Sequence, residues 1–83
     1  MNKQVVDKWL SRYPKLEVFI GSGTVSLKAA REILCIDRYE MYDIYLELLE
    51  AQAIYGSGSN QFRATKELKA YLVERRAGGS TSE

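Results

Sequence analysis

The stretch Asp37 to Glu50, DRYEMYDIYLELLE, holds the densest set of ligand-bonding groups in the chain: the guanidinium of Arg38, the phenols of Tyr39, Tyr42 and Tyr45, and five carboxylates. A guanidinium can engage two acceptors at once and a phenol can donate one hydrogen bond, which is the chemistry of recognition rather than of bond making. The 83 residues include no histidine and one cysteine, Cys35, set in the apolar run ILCI. A thiol in such a run is expected to be a small buried residue, and carboxylates lined along one helix have no nucleophile to serve. No catalytic residue is assigned, and the chain is read as a non-enzyme. A single cysteine without histidine cannot form an intrachain disulfide or the usual zinc site, so neither metal nor cofactor is expected.

The elements that position these groups follow from periodicity. From Lys3 to Tyr13, apolar Val5, Val6, Trp9, Leu10 and Tyr13 recur at helical spacing until Pro14 ends the run. KLEVFI alternates Leu16, Val18 and Ile20 with Lys15, Glu17 and Phe19, which predicts a short strand before the loop Gly21-Ser22-Gly23. GSG lacks the lysine and spacing of a phosphate loop and is read as a turn. Ser26 is the expected N-cap of a second helix with Leu27, Ala30, Ile33 and Leu34 inward and Lys28, Arg31 and Glu32 outward.

Asp37 caps the third predicted helix. A rotation of about 100° per residue puts Met41, Ile44, Tyr45 and Leu48 on a core face. Glu40, Asp43, Glu47 and Glu50 gather almost opposite, and Tyr39, Tyr42 and Leu46 form a shoulder with Leu49 near its edge. The acidic stripe is read as a solvated face or as one meeting a basic partner. Ala53-Ile54-Tyr55, the turn residues GSGSN and Gln61-Phe62-Arg63 predict a hairpin. Thr65 then caps a final helix that Gly78 and Gly79 are expected to stop, leaving 78–83 as a loose tail and 1–77 as one domain.

Apolar residues at 46% and charged ones at 28% describe an ordinary soluble globule. No run approaches the roughly 20 apolar residues of a membrane span, and the expected location is the cytoplasm. Net charge is +1, but residues 1–36 carry six basic and three acidic groups, 37–50 one and five, and 51–83 five and three. Any electrostatic footprint for a polyanion must therefore be local.

Taken together, VSLKAAREILCIDRYEMYDIYLELLEAQAIYGSGSNQFRAT resembles the winged helix-turn-helix family of prokaryotic DNA-binding domains, with LLEAQAI running into the Gly/Ser hairpin as its most specific part. The likeness spans about half the chain. Cys35 and Gln52 stand where such sequences often carry glycine. The resemblance implies an α+β, mostly α fold: a winged helix-turn-helix with three to four helices and a two- to three-stranded antiparallel sheet. It further implies a small regulator or accessory factor in replication, partition or recombination, bound to double-stranded DNA without a small-molecule substrate or a membrane. The third helix would enter the major groove by its N-terminal end through Arg38, Tyr39 and Tyr42. The hairpin would contribute Ser57, Ser59, Asn60, Gln61 and Arg63, and Ser26, Lys28 and Arg31 would clamp the backbone.

A different class of function is a protein-contact module, or a homodimer, using Tyr39, Tyr42, Leu46 and Leu49. The first helix, with Trp9 and Tyr13, is a further candidate for a dimerisation arm.

Overall fold

The computed structural model describes residues 1–81, which form five helices and one three-stranded antiparallel sheet. In chain order these are α1 (Lys3–Arg12), α2 (Pro14–Phe19), β1 (Val25–Ser26), α3 (Leu27–Leu34), α4 (Arg38–Glu50), β2 (Ile54–Gly58), β3 (Gln61–Ala64) and α5 (Lys66–Thr81). The class is α+β and mostly helical, with one helix more than the three to four expected. No helix among the described residues is long and apolar enough to cross a membrane.

The additional helix is α2, where alternation predicted a strand. Leu16, Phe19 and Ile20 are buried, at the i, i+3, i+4 spacing of a helix face, while Val18 is 77% exposed. Six residues satisfy both periods, and Pro14 decides between them. Its fixed φ closes α1 and suits the first position of a new helix, where no amide hydrogen bond is needed. α1 itself starts on Asn2, whose side chain accepts from the amides of Gln4 and Val5.

The caps read from the sequence form as expected. Ser26 Oγ accepts from Ala29 N at 3.0 Å, Asp37 Oδ1 from Glu40 N at 2.8 Å, and Thr65 Oγ1 from Leu68 N at 3.2 Å. The C-termini of α3 and α4 are built alike. Cys35 and Gln52 adopt the left-handed region at φ 57° and 63°, and the amides of Ile36 and Ala53 reach back to the carbonyls of Arg31 and Leu48. This is the Schellman closure, in which glycine is the commonest residue. Cys35 is exposed rather than buried, because its left-handed position turns the side chain out of the helix pair. Ile33, expected inward, is 43% exposed.

The sheet has the order β1-β3-β2, with Val25 opposite Phe62 and Ile54 opposite Ala64. Its register shifts between Gly56 and Gly58, and positive φ at Gly58 and Asn60 closes the turn. The positive φ of 148° at Gly58 is the conformation that suits glycine, and the one near contact of an added Cβ, Gln61 Oε1 at 2.9 Å, is the end of a flexible side chain. The core gathers Leu16, Ile20, Ile44, Leu48, Phe62 and Leu68 between helices and sheet.

α1 lies against α4 and α5 through carboxylates. Asp7 Oδ1 accepts from Tyr71 Oη and Arg75 Nη1, both at 2.6 Å. Trp9 is 4% exposed within this single chain, so α1 packs on its own domain and does not extend as a dimerisation arm. Gly78 and Gly79, expected to stop the last helix, lie within α5, which runs to Thr81. Glycine weakens a helix by roughly 1 kcal/mol per residue without breaking it. Residues 82–83 of the expected tail lie outside the described residues.

Candidate nucleic-acid interface

The first turn of α4 is presented by the tight connection Cys35–Asp37 and by a ladder of rings. Tyr42 stacks on Tyr45 at 6.3 Å between centroids, and Tyr45 packs at 6.0 Å on Phe62, which is fully buried. The ladder anchors an otherwise exposed phenol to the hydrophobic core. One turn earlier, the Arg38 guanidinium lies 5.1 Å from the Tyr39 ring centroid and donates to Tyr39 Oη at 3.2 Å. Such stacking preorients the guanidinium fork while leaving most of its donors for a ligand.

α3 approaches the same place from its own start. Leu27 N donates to Asn60 O at 2.8 Å, which ties the hairpin turn to the head of α3. Between α3, the first turn of α4 and Asn60 lies a cleft of about 410 Å³. Lys28, Arg31, Arg38, Tyr39, Tyr42 and Asn60 line it, with Leu27 and Met41 beneath. None of the three cations forms an ion pair among the described residues. Three unneutralised positive charges around one concavity produce a local positive potential in a chain of net charge +1.

The carboxylates of α4 divide into two sets. Glu47 Oε1 accepts from Lys8 Nζ at 2.6 Å and from Trp9 Nε1 at 2.9 Å. These bonds, that of Lys8 first and that of Trp9 second, hold the Glu47 carboxyl below the usual carboxylate range. Glu40 Oε2 accepts from Tyr13 Oη at 2.5 Å and lies 3.5 Å from Arg12 Nη2. The Glu40 carboxylate, by accepting that bond, raises the Tyr13 phenol above its usual value, with burial adding to the effect. Glu40 and Glu47 are thus the seam between α1 and α4, neither a bare solvated stripe nor a surface for a basic partner. Asp43 and Glu50 remain exposed.

Of the residues singled out in the sequence, the fold brings Lys28, Arg31, Arg38, Tyr39, Tyr42 and Asn60 together and leaves the others outside the cleft. Ser26 Oγ is engaged with the amide of Ala29, and Ser26 pairs in the sheet with Gln61. Ser57 and Ser59 sit at the hairpin end. Arg63 follows buried Phe62 on β3 and so lies on the outer sheet face, opposite Tyr55, with its Nε unpartnered. Of the aromatic shoulder, Tyr39, Tyr42 and Leu46 are exposed, whereas Leu49 is half-buried against the core.

Leu27 and Met41 belong to the cleft but carry no sequence signal for it, since an apolar residue on an inward face reads as core. Among the described residues, no cluster of three or more His, Cys, Asp or Glu is placed to hold a metal ion. A scan of protein-family models and searches of curated proteins and solved structures return no match to this chain.

Proposed function

We propose that this chain is a small non-enzymatic DNA-binding protein of the winged helix-turn-helix type, a transcriptional regulator or an accessory factor in replication, partition or recombination. It meets duplex DNA through the N-terminal turn of α4 and the hairpin. The observation that carries this reading is the convergence of Lys28, Arg31 and Arg38, without ion-pair partners, with Asn60 of the hairpin turn around one cleft. The withdrawal of Glu40 and Glu47 into the contact with α1 supports it by removing two negative charges from the approach. The order of α3, α4 and hairpin, with β1 closing on β3, supports the winged-helix form. Arg63, on the outer sheet face, is not among the cations of the cleft.

A single small module makes few phosphate contacts, so useful affinity requires a dimer or several copies along the DNA. Anisotropy titration of a labelled duplex at low salt tests the reading. Arg31→Ala with Arg38→Ala is expected to weaken binding at least about tenfold. Absence of binding by the wild type, or indifference to both substitutions, refutes it.

The exposure of Tyr39 at 68%, Tyr42 at 54% and Leu46 at 44% favours a second reading, a protein-contact module using that shoulder. Its acidic component is reduced to Asp43 and Glu50. A self-associating form of that module predicts that Leu46→Glu lowers the sedimentation coefficient, and identical monomers in both proteins refute it.

A further inference from the structure

The cleft is the wrong shape for a phosphate backbone alone. Its lining joins Leu27, Met41 and the rings of Tyr39 and Tyr42 to the three cations. A phosphate seated there would leave that apolar surface wet and unused, and an apolar ligand would leave three positive charges unanswered. The matching occupant carries a flat, largely apolar body and an anionic group on one side, and a nucleotide has that form. Ligand sites run from roughly 300 to 1,000 Å³, and 410 Å³ suits one such unit.

We propose that the cleft seats a single unpaired nucleotide, its base against Tyr39 and Tyr42 and its phosphate on Lys28 and Arg31. Tyr42 presents a ring already braced by Tyr45 and Phe62, so stacking a base on it orders little that is not ordered beforehand. Asn60, the hairpin residue at the rim, offers an amide able both to donate to and to accept from a base edge. The nucleotide is either free or a bulged or extruded member of a DNA strand. In the second form the inference rests on the DNA-binding reading and specifies which DNA is preferred: duplex interrupted by an unpaired base.

Four labelled or titrated probes separate these cases: a fully paired duplex, the same duplex with one bulged deoxyadenosine, the same bulge made abasic, and free deoxyadenosine monophosphate with inorganic phosphate as its control. The bulged duplex is expected to bind about tenfold tighter than the paired one, the contribution of one base stacked on an aromatic ring. The abasic bulge should show no such gain. Tyr42→Ala should bring the bulged-to-paired ratio close to one and Tyr42→Phe should keep it, with circular dichroism verifying the fold of both variants.

Equal, salt-dependent binding of paired and bulged duplexes, with no heat from the mononucleotide, overturns the inference and leaves the DNA-binding reading standing. If neither duplex binds but the mononucleotide gives heat that Tyr42→Ala abolishes and phosphate cannot reproduce, the DNA-binding reading falls and the cleft is a free-nucleotide site. Silence from all probes overturns both. Tighter binding of an acidic, tyrosine-containing peptide than of the mononucleotide overturns the inference in favour of a polypeptide occupant.

Discussion

Replacing Lys28 and Arg31 together with alanine should flatten the salt dependence of duplex binding by about two thirds. Each cation that neutralises a phosphate releases a condensed counterion and contributes roughly −0.9 to the slope of log affinity against log salt. The cleft presents Lys28, Arg31 and Arg38, so the wild-type slope should be about −2.7. Raising salt from roughly 50 to 200 mM then weakens binding about 40-fold. With Arg38 alone the slope falls to about −0.9, and the same change of salt costs only about three- to fourfold. Both substitutions lie on the surface side of α3, and alanine is at least as good a helix former as lysine or arginine, so the fold is preserved. The assay is anisotropy of a labelled duplex across a salt series. Lys69→Ala is the control, because Lys69 lines a separate groove between α2 and α5. A wild-type slope shallower than about −1, a double variant that keeps the wild-type slope, or an equal flattening by Lys69→Ala would refute the reasoning.

Three further outcomes concern the scaffold. Glu47→Ala removes the acceptor of Lys8 Nζ and of the Trp9 indole, and should cost about 1–2 kcal/mol, lowering Tm by roughly 5–15 °C. Because the folded Glu47 carboxyl is held low, its contribution is complete above the ordinary carboxylate range and is lost as pH falls through the lowered value. The Tm gap between wild type and Glu47→Ala should therefore narrow in acid, and a constant gap in calorimetry from neutral to strongly acidic pH would contradict this. Tyr13 and Tyr71 are raised by their hydrogen bonds to Glu40 and Asp7, so the stability they give holds below the ordinary tyrosine pKa of about 10 and is lost as pH rises through the higher folded values. Ultraviolet titration should show a late-ionising step that shrinks in Tyr13→Phe and again in the double Tyr13→Phe, Tyr71→Phe protein. Cys35→Gly relieves a left-handed side-chain position and should raise unfolding free energy by about 0.5–1 kcal/mol in a denaturant titration, whereas Cys35→Val should lower it.

How far the fold was legible depended on whether a local signal stood alone. Ser26, Asp37 and Thr65 each precede an apolar helical pattern, and each makes the amide contact its type predicts. The glycine and asparagine of GSGSN supply the positive φ values that the hairpin needs. KLEVFI misled because Leu16 and Ile20 fit a two-residue and a four-residue period equally; Pro14 at the helix start decides for the helix, and the burial of Phe19 against the exposure of Val18 records the outcome. Asn2 carries a cap signal that the pattern of α1 alone concealed. For the cleft, side-chain type identified Arg38, Tyr39, Tyr42, Lys28 and Arg31, but their convergence depends on how α3 meets α4. No periodicity argument contains that angle. The pairing of Glu47 with Trp9 and of Glu40 with Tyr13 is equally invisible in the sequence, because the partners are separated by 38 and 27 positions.

That pairing bears directly on how an acidic helix would stand at the proposed DNA interface. Glu40 lies in the first turn of α4, where an unpaired carboxylate would oppose a phosphate most strongly, and it is held by Tyr13 and Arg12. The helix N-terminus is already answered by the Asp37 carboxylate that caps it, so the positive charge at this end rests on Lys28, Arg31 and Arg38. Asp43 follows Arg38 by five residues, about 7.5 Å along the axis, close to the Debye length of roughly 8 Å at physiological salt. A phosphate on Arg38 is therefore partly screened from Asp43, whereas a duplex laid along α4 would meet Asp43 and Glu50 directly. In the proposed complex, charge placement thus favours an end-on approach, N-terminal turn first. An end-on approach limits the phosphates within reach to those beside the cleft and the hairpin, and that small number makes repetition, by a dimer or by adjacent copies, the means of reaching a useful affinity.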